Sequence, residues 1–206
     1  MKRILFFSVG FTIALYLVRV VYTGSLLFLF IPWNLFLAWL PFYFSTKMKS
    51  EQTIPVKLLW FCSWLLFLPN APYLITDLVH LEPRPYVPYY FDLVLLFSAA
   101  WNGLLLGLLS FQQIERQLNM YFDKWKVNSI IFVLFLLCGF GIYLGRFDRY
   151  NSWHIITQPF DLATDIIRYT LQPLQHLHTW AVTVLFGAAL WLMYQTMRQL
   201  QSVSQR

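Results

Sequence analysis

Asn70, Tyr73, Asp77 and His80 are the first residues in this chain whose types and spacing suggest chemistry. They belong to the run Pro69-Asn70-Ala71-Pro72-Tyr73, followed by Thr76-Asp77 and His80. On a helix turning 100° per residue, they fall within a stripe about 80° wide. One face would then offer an amide, a phenol, a carboxylate and an imidazole. Asp77 and His80, at i and i+3, are spaced to hold one proton between them or to give two ligands to a metal. They form the candidate catalytic pair, with Asn70 and Tyr73 as candidate substrate contacts. Two prolines three residues apart cannot share one straight helix, and backbone released at such a break can itself serve a ligand. The competing reading is ordinary punctuation, with the apolar run ending near Pro69 and Asp77 and His80 standing in a wet loop.

A second constellation is Gly145-Arg146-Phe147-Asp148-Arg149-Tyr150-Asn151-Ser152-Trp153-His154. Arg146 and Arg149 present two fork-shaped donors suited to phosphate or carboxylate, and Asp148 between them could pair with either. Asn151 and Ser152 add short polar groups to the candidate substrate site. Tyr150 and Trp153 suit the headgroup level of a bilayer, so an interfacial anchor is the alternative. His176 and His178 alternate along the chain, which shares a face in a strand but not on a helix, and no metal is assigned to them. Arg19 lies in an apolar run. It either snorkels outward or faces inward to Asp77 or Asp92. Asn102, in another such run, reads as interhelical glue.

Together, the Pro69–Tyr73 run with Thr76-Asp77 and His80-Leu81, and Gly145-Arg146 with Arg149 and Asn151-Ser152-Trp153, resemble the DUF1361 family. This is a family of bacterial multi-span membrane proteins of about this size. The resemblance covers essentially the whole chain. It implies that Asn70, Asp77, His80, Arg146, Arg149, Asn151 and Ser152 occupy the family's motif positions. The family pattern usually has an acid where this chain has His154 and often an apolar residue at the position of Asp148, which argues against a catalytic role for either. The resemblance supplies no chemistry of its own.

The elements that must position these residues follow from composition. Of 206 residues, 59% are hydrophobic, 20% aromatic and only 12% charged, with mean hydropathy +0.57. A soluble domain carries about 25% charged residues, and half that cannot cover a water-facing surface. The chain reads as an all-α polytopic integral membrane protein. Six spans are expected, at about 4–22, 26–44, 56–81, 91–110, 127–145 and 179–197, in a single membrane domain covering residues 1–206. The third span is broken near 69–72, with Asn70 capping a second helical half. The first span follows Met1-Lys2-Arg3 but is long for a secretory signal and lacks a small-x-small cleavage site, so it reads as a retained helix. Pro32 and Pro41 should kink the second span. Before the sixth, Thr157–Gln172 reads as an amphipathic helix on the membrane surface. Its apolar side is Phe160, Leu162, Ala163, Ile166, Ile167 and Leu171, and its solvated side includes Asp161, Asp165 and Arg168.

Charge then orients the chain. Setting Arg19 aside, the side of the termini holds Lys2, Arg3, Lys47, Lys49, Lys57, Arg116, Lys124, Lys126, Arg198 and Arg206. The opposite side holds Arg84, Arg146, Arg149 and Arg168. Short loops rich in Lys and Arg stay inside, so both termini are expected in the cytoplasm of a bacterial cell with the chain in its plasma membrane. All four histidines and six of the nine carboxylates then face outward.

The net charge of +6 is spread singly and in pairs at span ends, which excludes a nucleic-acid partner. Cys62 and Cys138 read as inert buried thiols. Walker A, Rossmann, nucleophile-elbow and HExxH patterns are absent, and no cofactor or oligomeric state is specified. What remains is an outward-facing polar site between the third, fourth and fifth spans for an anionic lipid or small metabolite, serving a membrane enzyme or a proton-coupled carrier. The alternative is a non-catalytic membrane subunit or scaffold whose motifs lock helices together. Small-residue seams would favour that alternative, and from sequence the glycines and alanines look scattered.

Overall fold

A computed structural model describes residues 2–49 and 51–203. Arg206, counted above in the charge balance, lies outside the described residues. All regular structure among them is helical, apart from one isolated bridge between Arg84 and Val87. Five helical stretches are long and apolar enough to cross a membrane: Arg3–Thr23, Ile54–His80, Tyr89–Leu118, Lys124–Arg146 and Pro173–Val203. The chain is therefore a multi-pass membrane protein. It folds as two compact units, Met1–Ile114 and Glu115–Arg206.

In the first unit, α1 (Lys2–Thr23) ends at Gly24, whose φ of +63° suits a residue without a Cβ. α2 (Phe30–Lys47) begins four residues later than expected and runs 18 residues, about 27 Å at 1.5 Å per residue. It carries Asn34, Pro41 and three polar residues at its end, so it stands outside the five most apolar stretches. Pro32 falls in its first turn, where the missing N–H costs nothing, and Pro41 is buried inside the helix.

The third stretch is interrupted where the prolines stand. α3 (Ile54–Phe67) gives way to the single turn α4 (Asn70–Tyr73) and then to a 3₁₀ segment, Thr76–His80. The expected second α-helical half is absent. The bonds Ala71 N–H to Leu68 O, Ile75 N–H to Pro72 O and Asp77 N–H to Leu74 O span three residues, so the coil narrows instead of turning aside. A 3₁₀ segment rises about 2.0 Å per residue against 1.5 Å in an α-helix. The narrowing therefore lengthens a stretch whose α-helical part, of 14 residues, is too short to cross alone.

α5 (Tyr89–Leu118) packs against this break. A Cβ on Gly103 would lie 2.4 Å from the Ala71 carbonyl oxygen, and one on Gly107 would lie 3.2 Å from the Ala71 Cβ. Two glycines four apart thus let the α5 backbone touch the break directly. Trp64 of α3, fully buried, donates its indole N–H to Ser110 Oγ on α5 at 3.0 Å. α5 runs 30 residues, so the helix of the fourth span, expected to cross the membrane to about residue 110, continues to Leu118.

In the second unit, α6 (Lys124–Arg146) and α9 (Leu177–Val203) form its main pair. Their backbones meet at Gly139 and Gly187. A Cβ on Gly139 would lie 2.4 Å from the Thr183 carbonyl oxygen, and one on Gly187 would lie 3.0 Å from Leu136 Cα. Between them lie the one-turn α7 (His154–Thr157), α8 (Pro159–Leu171) and a 3₁₀ turn, Pro173–His176. α8 matches the expected amphipathic helix. Phe160, Ile167 and Leu171 on its apolar side are 85%, 56% and 75% exposed, while Tyr169 is its one buried residue.

Candidate functional site

In the first unit, polar residues gather where α1 ends and α5 begins. Asp77, 4% exposed, accepts a hydrogen bond from Asn34 Nδ2 at 2.9 Å through its Oδ2. His80 stands one 3₁₀ turn on, and in that helix residues i and i+3 eclipse. The His80 ring does lie over the same turn, but its Nδ1 meets the Asp77 backbone oxygen at 3.1 Å, and its ring packs 5.1 Å from that of Phe30. Asn70 bonds Phe67 O at 2.9 Å through Nδ2, so its amide closes α3 and does not cap α4. Tyr73 is half-buried, and its carbonyl accepts the Thr76 hydroxyl at 2.7 Å.

The charges that sequence reasoning left open lie at the same end of the unit. Arg19 of α1 is bidentate to Asp92 of α5, Nε to Oδ1 at 2.7 Å and Nη2 to Oδ2 at 3.2 Å. Of its expected partners, Asp92 is the one engaged. Arg84 reaches the same carboxylate at 3.3 Å and donates to the His80 carbonyl at 3.0 Å. Both guanidiniums stack on the buried Phe28, at 4.3 and 5.0 Å from its ring centroid. Deeper in the same unit, Asn102 ties α5 to α1, donating to Thr12 Oγ1 at 2.9 Å. Asn102 therefore acts as the interhelical glue expected of it.

In the second unit, the loop after α6 is shaped by α8. Tyr150 N–H bonds Leu144 O across six residues, leaving Asp148 and Arg149 in a bulge, and Arg149 sits at φ +60°. Arg149 is exposed and makes no hydrogen bond or ion pair among the described residues. Arg146 and Ser152 are half-buried beside it, and Asn151 is exposed. Asp148 pairs with neither arginine. Its Oδ2 accepts the Tyr169 hydroxyl at 3.0 Å. Asp165 accepts the Tyr150 hydroxyl at 2.8 Å and Arg168 at 2.5 Å. The polar face of α8 is thus engaged by the loop, where the sequence pattern suggested simple solvation.

Burial pushes the Asp148 carboxyl above the usual aspartate range, with the Tyr169 bond pulling the other way. The bond to Asp165 pushes the Tyr150 phenol up to about 12, and burial pushes the Tyr169 phenol up as well. His176 and His178 are separate: His176 packs on Tyr169, and His178 packs on Tyr143 and Phe147. Among the described residues, no three His, Cys, Asp or Glu side chains are grouped as metal ligands would be.

One site was missed in the sequence. Glu115, late in α5 and within the second unit, accepts the hydroxyl of the fully buried Tyr194 and pairs with Arg198 at 2.9 Å. It lies just past residue 110, where the fourth span was expected to end.

A family model described as "Protein of unknown function (DUF1361)" matches residues 33–193, more than three quarters of the chain. The chain belongs to that family. The match contains both motif segments, from Asn70 to His80 and from Arg146 to Ser152. No curated protein and no solved structure matches the chain.

Proposed function

We propose that this membrane protein holds an anionic group, either a lipid phosphate or a small acidic metabolite, at outward-facing polar residues, and acts on it as an enzyme or a proton-coupled carrier. Arg146 and Arg149 would hold the anion, with Asn151 and Ser152 as further donors. Asp77 and His80 are the proton-active pair, supported by Asn70 and Tyr73. The bearing is both termini in the cytoplasm and the chain in a bacterial plasma membrane, which the Lys and Arg asymmetry supports.

The observation that carries this reading is Arg149. A residue other than glycine in the left-handed region costs roughly 1–2 kcal/mol, and such strain collects where a site needs it. Here the strain holds up an exposed guanidinium whose neighbouring carboxylates, Asp148 and Asp165, are bound elsewhere. The test is mass spectrometry of the lipids and metabolites that co-purify with wild type, Arg149→Lys and Asp77→Asn. An anionic species should accompany wild type and be depleted from Arg149→Lys, since a lysine cannot make the bidentate contact. Both variants should insert normally and lack activity. Loss of both from the membrane would make these residues structural.

The close backbone seams favour a second reading. The approaches at Gly103 with Ala71 and at Gly139 with Gly187 are what a non-catalytic membrane scaffold would need to lock its helices. On that reading no small molecule follows the purified protein, and the motif variants change stability alone.

A further inference from the structure

The loop at 146–152 and α8 together carry three arginines, Arg146, Arg149 and Arg168, and three aspartates, Asp148, Asp161 and Asp165. With equal numbers of each sign in one short segment, mutual pairing would leave no guanidinium for a ligand. The side chains are sorted otherwise. Asp148, flanked in sequence by two arginines, turns to a neutral phenol, Tyr169, at 3.0 Å. Asp165 is taken by a second phenol, Tyr150, at 2.8 Å, together with Arg168.

The first phenol is held firmly. Tyr169 is 5% exposed, its ring meets Tyr143 edge-on at 5.8 Å and His176 at 4.8 Å, and its carbonyl accepts the Trp180 indole N–H at 3.1 Å. A phenol whose ring is packed on two sides, and whose backbone is bonded as well, does not follow its partner. Asp148 must come to it, and the bulge closed by Tyr150 N–H on Leu144 O permits this.

We propose that Tyr169 is a positioning residue that draws the loop's carboxylate, Asp148, onto α8 while Tyr150 of the loop engages Asp165 of α8, and that together they leave Arg149 uncompensated for a phosphate-type anion. This rests on reading 146–152 as an anion site. The phosphate belongs either to a lipid headgroup or to a free phosphate, and both offer the oxygens that a guanidinium fork recognises. The phenols make no contact with the ligand. They act through the two aspartates.

The test uses full-length protein in nanodiscs of zwitterionic phospholipid, with an arginine-selective dicarbonyl reagent and peptide mass spectrometry at Arg149. Wild type should be modified readily. In Tyr169→Phe, Asp148 is released to the arginines and modification should slow several-fold. Tyr169→Phe with Asp148→Asn should restore it, a rescue that a merely structural role would not give. Equal reactivity in wild type and Tyr169→Phe overturns the proposal. Should Tyr169→Phe fail to fold, Tyr150→Phe, at a half-buried phenol, frees one oxygen of Asp165 while the other stays on Arg168, and is read in the same way.

A second arm adds anionic phospholipid to the discs and measures its retention by native mass spectrometry, with inorganic phosphate as competitor. Retention should fall in Tyr169→Phe and return in the double variant. Displacement by phosphate assigns the site to the free ion, and resistance assigns it to the lipid. If Arg149 reactivity follows the expected order but wild type retains neither anion, the positioning role stands and the anion reading of the loop falls.

Discussion

Arg19 and Asp92 form a two-point ion pair, 2.7 and 3.2 Å, with side chains only 3% and 2% exposed. It joins the end of α1 to the start of α5. Removing one partner leaves a buried charge uncompensated, which costs about 3–5 kcal/mol, whereas replacing both with apolar residues is often close to neutral. Arg19→Leu and Asp92→Leu should each lower the thermal transition in detergent sharply, and the double variant should recover most of the loss. Arg84, the second guanidinium on that carboxylate, should soften Arg19→Leu relative to Asp92→Leu, which strands two cations.

The glycines separate packing from conformational cost. Gly10 of α1 has nothing within 4 Å of a built Cβ, while Gly139 would meet the Thr183 backbone at 2.4 Å. Gly10→Ala should therefore stabilise, by about 1 kcal/mol or less, through helix propensity alone. Gly139→Ala should destabilise by about 1–3 kcal/mol as α6 and α9 are forced apart. Gly103→Ala should behave like Gly139→Ala, its obstacle being the Ala71 carbonyl. Unfolding transitions of the three variants in one detergent check the order.

The sequence announced some of these relationships and hid others, for identifiable reasons. A charge inside an apolar run must snorkel or find a partner, so Asp92 was legible as one of the two inward partners open to Arg19. The interruption at Pro69 and Pro72 was legible because proline chemistry is local. What followed it was not, because no local signal in residues 73–81 separates an α-helical turn from a 3₁₀ one. Asn34 was invisible as the partner of Asp77, since the two lie on different elements 43 residues apart. Tyr169 fell between the two faces assigned to α8, and its role depends on where the loop carries Asp148. The Gly139–Gly187 seam joins one of the three glycines of α6 to the single glycine of α9, a pairing that no pattern within either helix reveals.

The phenols of the second unit give a pH signature. Tyr150, ordinarily near 10.0, is pushed up to about 12 by its bond to Asp165. Between those values the unfolded chain has lost this proton and the folded chain keeps it, so stability falls as pH rises through that window. Asp165→Asn should return the phenol toward its ordinary value and flatten the alkaline decline, read by phenolate absorbance and by thermal unfolding. Asp148 acts in the same sense in acid. Its folded value lies above the ordinary one, so the folded state gains relative stability as pH falls through that interval, and Asp148→Asn should remove the gain.

The last prediction separates two possible uses of Asp77. Asn34 donates to its carboxylate at 2.9 Å, and the carboxylate is nearly buried. Asn34→Leu removes that donor and should cost about 1–3 kcal/mol, the penalty for weakening the satisfaction of a buried polar group. Asn34→Asp should cost more, because it places a second carboxylate against the first. Asp77→Asn keeps an oxygen that Asn34 can bond but gives up the charge and the exchangeable proton. If Asp77 is proton-active, Asp77→Asn should keep the wild-type unfolding transition and lose activity, while Asn34→Leu lowers the transition but keeps some activity. If both variants instead unfold early and to the same degree, Asp77 serves the fold alone.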